Sequence, residues 1–157
     1  MTLTSTRRRL GKVAIALVAG AGLLLGTATA AQAGNGDHTS TVSCGSYQSP
    51  PSGTAHARIR NCSVTFGKNT IDGTYWQTAN FQLLDSLTDG YCARSFSSGG
   101  SEGKQINQSE CNGVWTSKSA TFNGRSSSVF ILLNYGTSSQ VFGTWGGTSG
   151  VDAPSGY

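Results

Sequence analysis

Little in this 157-residue chain carries charge: Asp, Glu, Lys and Arg together make up 11% of it. It has only two histidines, His38 and His56, and its four cysteines contain no C-x-x-C pair, so neither pattern expected of a zinc site is present. No cofactor motif stands out. No apolar run reaches the roughly 20 residues needed to span a bilayer. After the first thirty or so residues, no stretch combines helix-forming residues with a period of 3.6.

What is present begins with an export signal. Arg7, Arg8, Arg9 and Lys12 form a basic start, and Val13 to Leu25 is an apolar run too short for an anchor. Ala31-Gln32-Ala33 is the small-x-small pattern of a signal peptidase site. Cleavage is expected after Ala33, giving a secreted, extracellular chain from Gly34 to Tyr157. The Arg7-Arg8-Arg9 cluster fits twin-arginine export and general secretion equally well. Four of the 11 basic residues leave with the signal, and the seven that stay balance the 7 acidic ones. A neutral mature chain gives no electrostatic basis for binding nucleic acid or a membrane surface.

An even cysteine count in an oxidising compartment implies two disulfides among Cys44, Cys62, Cys92 and Cys111. Three connectivities exist. Cys44–Cys62 and Cys92–Cys111 are favoured, because 17 and 18 intervening residues suit local bridges.

The rest reads as one all-β domain, a single immunoglobulin-like antiparallel sandwich of about seven strands over 44–145. Ala55, Ala57 and Ile59 alternate with His56, Arg58 and Arg60. Cys62, Val64 and Phe66 then continue with the phase moved by one residue, which predicts a bulge near Asn61. Tyr75, Ala79, Phe81 and Leu83 share one face, and Trp76 and Leu84 fall on the other. Val114 to Phe122 lies between two Asn-Gly turns. Val129 to Tyr135 is the best central strand, and Gln140 to Trp145 the last one. The polar arm 34–43 and the Gly/Ser-rich tail 146–157 are expected to fray.

Catalytic signals are weak. Gly99-Gly100-Ser101-Glu102-Gly103 fits G-x-S-x-G, but no helical pattern follows to form a nucleophile elbow. His56 would need a carboxylate from Asp72, Asp85 or Asp89 within hydrogen-bond reach, and nothing local enforces that. It reads as one member of a solvated strand face with Arg58 and Arg60. Asp72-Gly73 and Asp89-Gly90 read as turns. The chain is therefore expected not to be an enzyme. The aromatics Trp76, Tyr75, Tyr91, Trp115 and Trp145 are the candidate binding residues for a sugar or a protein, with ordinary core and rim packing as the alternative.

Thr88-Asp89-Gly90-Tyr91-Cys92-Ala93, followed by Ser109-Glu110-Cys111-Asn112-Gly113-Val114-Trp115, resembles small secreted proteins of streptomycete-type actinobacteria. Among these it is similar to the adaptor subunit of umbrella toxin particles. The similarity spans about Cys44 to Trp145, though only these two segments are distinctive. It implies a non-catalytic β-sandwich adaptor joining a lectin-like subunit to a large toxin-bearing one, by an extended terminus or by strand addition. Two other classes stay open: an inhibitor of an extracellular hydrolase, presenting the loop 95–110, and a carbohydrate-binding module.

Overall fold

The computed structural model describes residues 37–137 and 141–157, and of 141–149 the backbone alone. The signal peptide and the first residues of the arm lie outside the described residues, as does the Trp145 side chain. Eight strands follow one another: β1 Asp37–Ser49, β2 Ala57–Asn69, β3 Tyr75–Asp85, β4 Cys92–Gly99, β5 Lys104–Glu110, β6 Thr116–Asn123, β7 Ser128–Gly136 and β8 Val141–Asp152. They form two antiparallel sheets, ordered β1-β2-β3-β6 and β5-β4-β7-β8. The all-β sandwich matches the expectation from sequence, with one strand more than counted. In strand order it departs from an immunoglobulin constant domain, whose first sheet takes strands 1, 2, 5 and 4.

The core follows from alternation. Ala57, Ile59, Val64 and Phe66 of β2, Phe81 and Leu83 of β3, Phe122 of β6, and Val129, Ile131 and Leu133 of β7 are all buried. The inner face of β4 is small instead: Ala93, Ser95, Ser97 and Gly99. This makes room for rings from the facing sheet, and a Cβ at Gly99 would come within 2.9 Å of Phe122 Cδ2. The cost is polar. Among the described residues, Ser95 Oγ and Ser97 Oγ are buried without a hydrogen-bond partner.

The predicted bulge is present. The β2–β3 register shifts between Arg60 and Ser63, and Asn61 takes a φ of 52°. That left-handed conformation is one Asn tolerates better than most residues. The β1–β2 register shifts at the same level, around Gly45. Here Cys44–Cys62 ties the two irregular strands together, while Cys92–Cys111 lies just beyond the Ala93–Glu110 pair that ends the β4–β5 ladder. Both favoured disulfides are formed, each within one sheet.

Three stretches differ from the sequence reading. From Asp37 on, the polar arm is the outer part of β1, because its backbone pairs with β2 regardless of side-chain polarity. The loop 95–110 is the β4–β5 hairpin, and the G-x-S-x-G segment is its turn, not a strand-to-helix elbow. The tail is built into the second sheet and onto the sandwich rim. β8 runs to Asp152, and Ala153 N then donates to Ser127 O at 2.8 Å. The Tyr157 ring packs edge-on to Phe66 and Tyr75, with centroids 5.1 and 5.3 Å away. Its hydroxyl donates to Trp76 O at 3.1 Å and accepts from Gln77 Nε2. Gln77 is fully buried yet satisfied, since Nε2 also reaches Gly124 O at 2.6 Å and Oε1 accepts from Gly100 N at 2.9 Å. One buried amide thereby holds β3, two turns and the tail.

Candidate docking face

The outer face of the first sheet is built by the same alternation that fills the core. Trp76, Thr78, Asn80, Gln82 and Leu84 leave β3 on the side opposite Gln77, Ala79, Phe81 and Leu83. Cross-strand registers continue these positions into rows. Thr41, Thr65, Thr78 and Thr121 stand side by side across all four strands. Within that row the Oγ1 atoms of Thr41 and Thr65 are 2.9 Å apart, and those of Thr78 and Thr121 3.1 Å apart. Ser43, Ser63, Asn80 and Ser119 make the next row. Between the Thr39–Trp76 row and the Arg58–Leu84 row, no Asp, Glu or Lys stands on this side of the sheet.

An indole marks each end. Trp76 pairs across the ladder with Gly67, and a Cβ built on Gly67 would overlap the indole ring. The glycine is the seat of the tryptophan. At the far end the Arg60 guanidinium carbon lies 4.1 Å from the ring centroid of Trp115, a cation–π stack. Arg60 Nε donates to Gln82 Oε1 at 2.7 Å, and Asn61 Nδ2 donates to the same oxygen at 3.2 Å. Beside this stack opens a groove of ≈ 590 Å³, lined by Tyr47, Gln48, Pro51, Arg58, Arg60 and Trp115. The Tyr47 hydroxyl itself turns inward and donates to Ile131 O at 3.4 Å, where burial pushes it well above its ordinary pKa.

Of the five aromatics singled out from the sequence, the four whose side chains are described, Trp76, Trp115, Tyr75 and Tyr91, do not make one platform. Trp76 and Trp115 stand at opposite ends of this face. Tyr75 turns to the sandwich rim, where it packs on Tyr157 and faces Lys68 and Arg125 at 5.4 and 5.3 Å. Tyr91 lies 6.0 Å from Tyr135, in the second sheet. The sequence reading missed Arg58 and Arg60 as site residues. Their alternation with Ala57 and Ile59 was the available signal, and it gave their face but not their neighbours.

Compared with known proteins, the chain matches no family model and no curated sequence. Its function must be read from its own surface.

A second polar cluster lies elsewhere. His56 Nδ1 is 2.5 Å from Asp89 Oδ2, and the imidazole stacks on Tyr135 with centroids 4.1 Å apart. The long-range contact that the sequence could not enforce is therefore made, across 33 residues. Burial draws the Asp89 carboxyl upward, but the Tyr91 N–H and His56 outweigh it and hold it below the usual range. Asp85 goes the other way: burial raises it, opposed by the Leu87 N–H and reinforced by the negative charges of Asp89 and Glu110. The contact fastens the segment before β2 to the β3–β4 connection. Among the described residues, no group of three or more His, Cys, Asp or Glu is placed to hold a metal.

Proposed function

We propose that this protein is a non-catalytic, secreted protein-binding module that docks on its partner through the outer face of the β1-β2-β3-β6 sheet. In this reading it serves as an adaptor between subunits of an extracellular antibacterial toxin complex, the role implied by its resemblance to umbrella-particle adaptors. One observation carries the docking reading: a face four strands wide, free of Asp, Glu and Lys, with Trp76 at one end and Arg60 stacked on Trp115 at the other. Protein interfaces are depleted in those three charged residues, and Trp and Arg dominate their energetic hot spots. Two disulfides suit the oxidising compartment that export implies.

Size sharpens the reading. Strand spacing and rise give the face roughly 500 Å². A standard interface covers about 800 Å² per partner. Docking therefore draws in ground beside the sheet, and the groove next to Trp115 adjoins it directly.

The test is capture of partners from the native culture supernatant by the tagged protein, with mass spectrometry. Large secreted proteins should be recovered in fixed ratio. Thr121→Lys, a charge placed on the exposed face, should abolish recovery, while Gln105→Lys on the second sheet should leave it intact. Recovery that is indifferent to Thr121→Lys, or absent altogether, would end the reading. A single captured hydrolase whose activity falls at stoichiometric concentration would make the protein an inhibitor.

The hydroxyl and amide rows beside an indole favour one second reading, a carbohydrate binder. Retention on chitin, cellulose or a glycan array that is lost in Trp76→Ala would replace the first reading with this one.

A further inference from the structure

Arg58 and Arg60 leave the same side of β2 two residues apart, because Ala57 and Ile59 between and beside them are buried. Strand rise puts such positions about 7 Å from each other. Among the described residues neither arginine is in an ion pair, although acids and bases are equal in number over 34–157. Arg60 is also held in place. Its guanidinium carbon lies over the Trp115 ring, its Nε is committed to Gln82, and Gln82 is in turn held by Asn61. A guanidinium fixed in this way has surrendered its rotamer freedom before any ligand arrives, and its terminal Nη groups keep the fork geometry that pairs with carboxylates. The adjoining groove takes carbon surface from Tyr47, Pro51 and Trp115, with Ser46 and Gln48 beside them.

Resting on the docking-module reading above, we propose that Arg58, Arg60 and the groove at Trp115 form a carboxylate-binding subsite. It takes an extended segment of a partner polypeptide that carries Asp or Glu at alternate positions. The match is one of spacing as well as sign. Alternate side chains of an extended strand project on one side about 7 Å apart, as the two arginines do. The apolar groove walls suit the hydrocarbon portions and neighbouring side chains of a peptide. A uronic-acid polysaccharide supplies carboxylates too, but one face of the Trp115 ring, on which a sugar would stack, is taken by Arg60.

The experiment uses the secreted protein purified from culture supernatant, with its disulfides formed. Three probes are titrated by NMR: an acetylated and amidated Glu-Val-Glu-Val-Glu peptide, its Gln-Val-Gln-Val-Gln counterpart, and oligogalacturonate. The Glu peptide should bind saturably, shift the signals of Arg58, Arg60 and the Trp115 indole, and weaken as salt is raised. Arg60→Ala should weaken it at least tenfold, and Arg60→Lys should not restore it, since an ammonium lacks the stacked fork. Arg58→Ala, at an exposed position outside the core, gives the same test without disturbing the Trp115 stack. Equal binding of the Gln peptide, tighter binding of oligogalacturonate, or affinity unchanged in Arg58→Ala and Arg60→Ala would each overturn the subsite. Partner capture that survives both substitutions but is lost in Thr121→Lys would remove the subsite and leave the docking face standing. Capture lost in Thr121→Lys and in Arg58→Ala alike would support both.

Discussion

A methyl group at position 67 has nowhere to go. Trp76 occupies the space a side chain would need, so Gly67→Ala forces the indole off the sheet or moves the backbone beneath it. Overpacking of this kind costs about 1–3 kcal/mol. The variant should unfold at lower denaturant and show altered tryptophan emission; an unchanged spectrum and midpoint would mean the indole does not rest there in solution. The sequence placed Trp76 on the outer face, because Ala79, Phe81 and Leu83 claim the inner one. It could not place Gly67 beneath it, since that contact depends on cross-strand register. The same is true of His56 and Asp89, which lie far apart in the chain and meet only through the tertiary fold.

At the scale of elements, period-2 alternation made most strands readable, and the phase break in β2 located its bulge within a residue of Asn61. Where alternation has no large apolar residue to act on, the reading failed. The outer part of β1 is Thr and Ser, and β8 past Trp145 is largely Gly, Thr and Ser, yet both are held by backbone pairing that polarity does not disclose. The β4–β5 hairpin was hidden likewise by its serines. Its open end is closed by Cys92–Cys111, 19 residues apart. Replacing both cysteines with serine should cost about 3 kcal/mol, mainly by freeing the unfolded chain. Chemical unfolding of the double variant checks this, and a loss well under 1 kcal/mol would show that the hairpin holds itself.

At the scale of the whole molecule, stability in acid is biased by carboxyls whose pKa values shift in opposite directions. Asp72 is lowered by the Thr74 hydroxyl and N–H. Glu110 is lowered by the Thr116 hydroxyl, against burial, with help from the Asn112 N–H and Lys118. Asp89 is lowered as well. Depressed groups give stability that is present above the unfolded carboxyl pKa of about 4 and lost as pH falls through their folded values. Asp85, being raised, contributes stability below its unfolded pKa and loses it as pH rises through the folded one. With three groups against one, urea midpoints should hold down to about pH 4 and then fall. Asp85→Asn should match or exceed the parent at pH 7, and that advantage should vanish in acid. A parent more stable at pH 2.5 than at pH 6 would contradict this assignment.

The alternation along β3 and β6 has a consequence for how such a protein changes over generations. Ser117, Ser119, Thr121 and Asn123 are exposed and point away from every core residue of their own strand. Substitutions there meet solvent, or a partner if the face docks as proposed, and the packing of Ala120 and Phe122 is untouched. Selection for a new partner can thus rewrite the face while selection for folding acts on a separate set of positions. On the docking reading, the sandwich is a frame on which recognition can diverge quickly and stability need not follow.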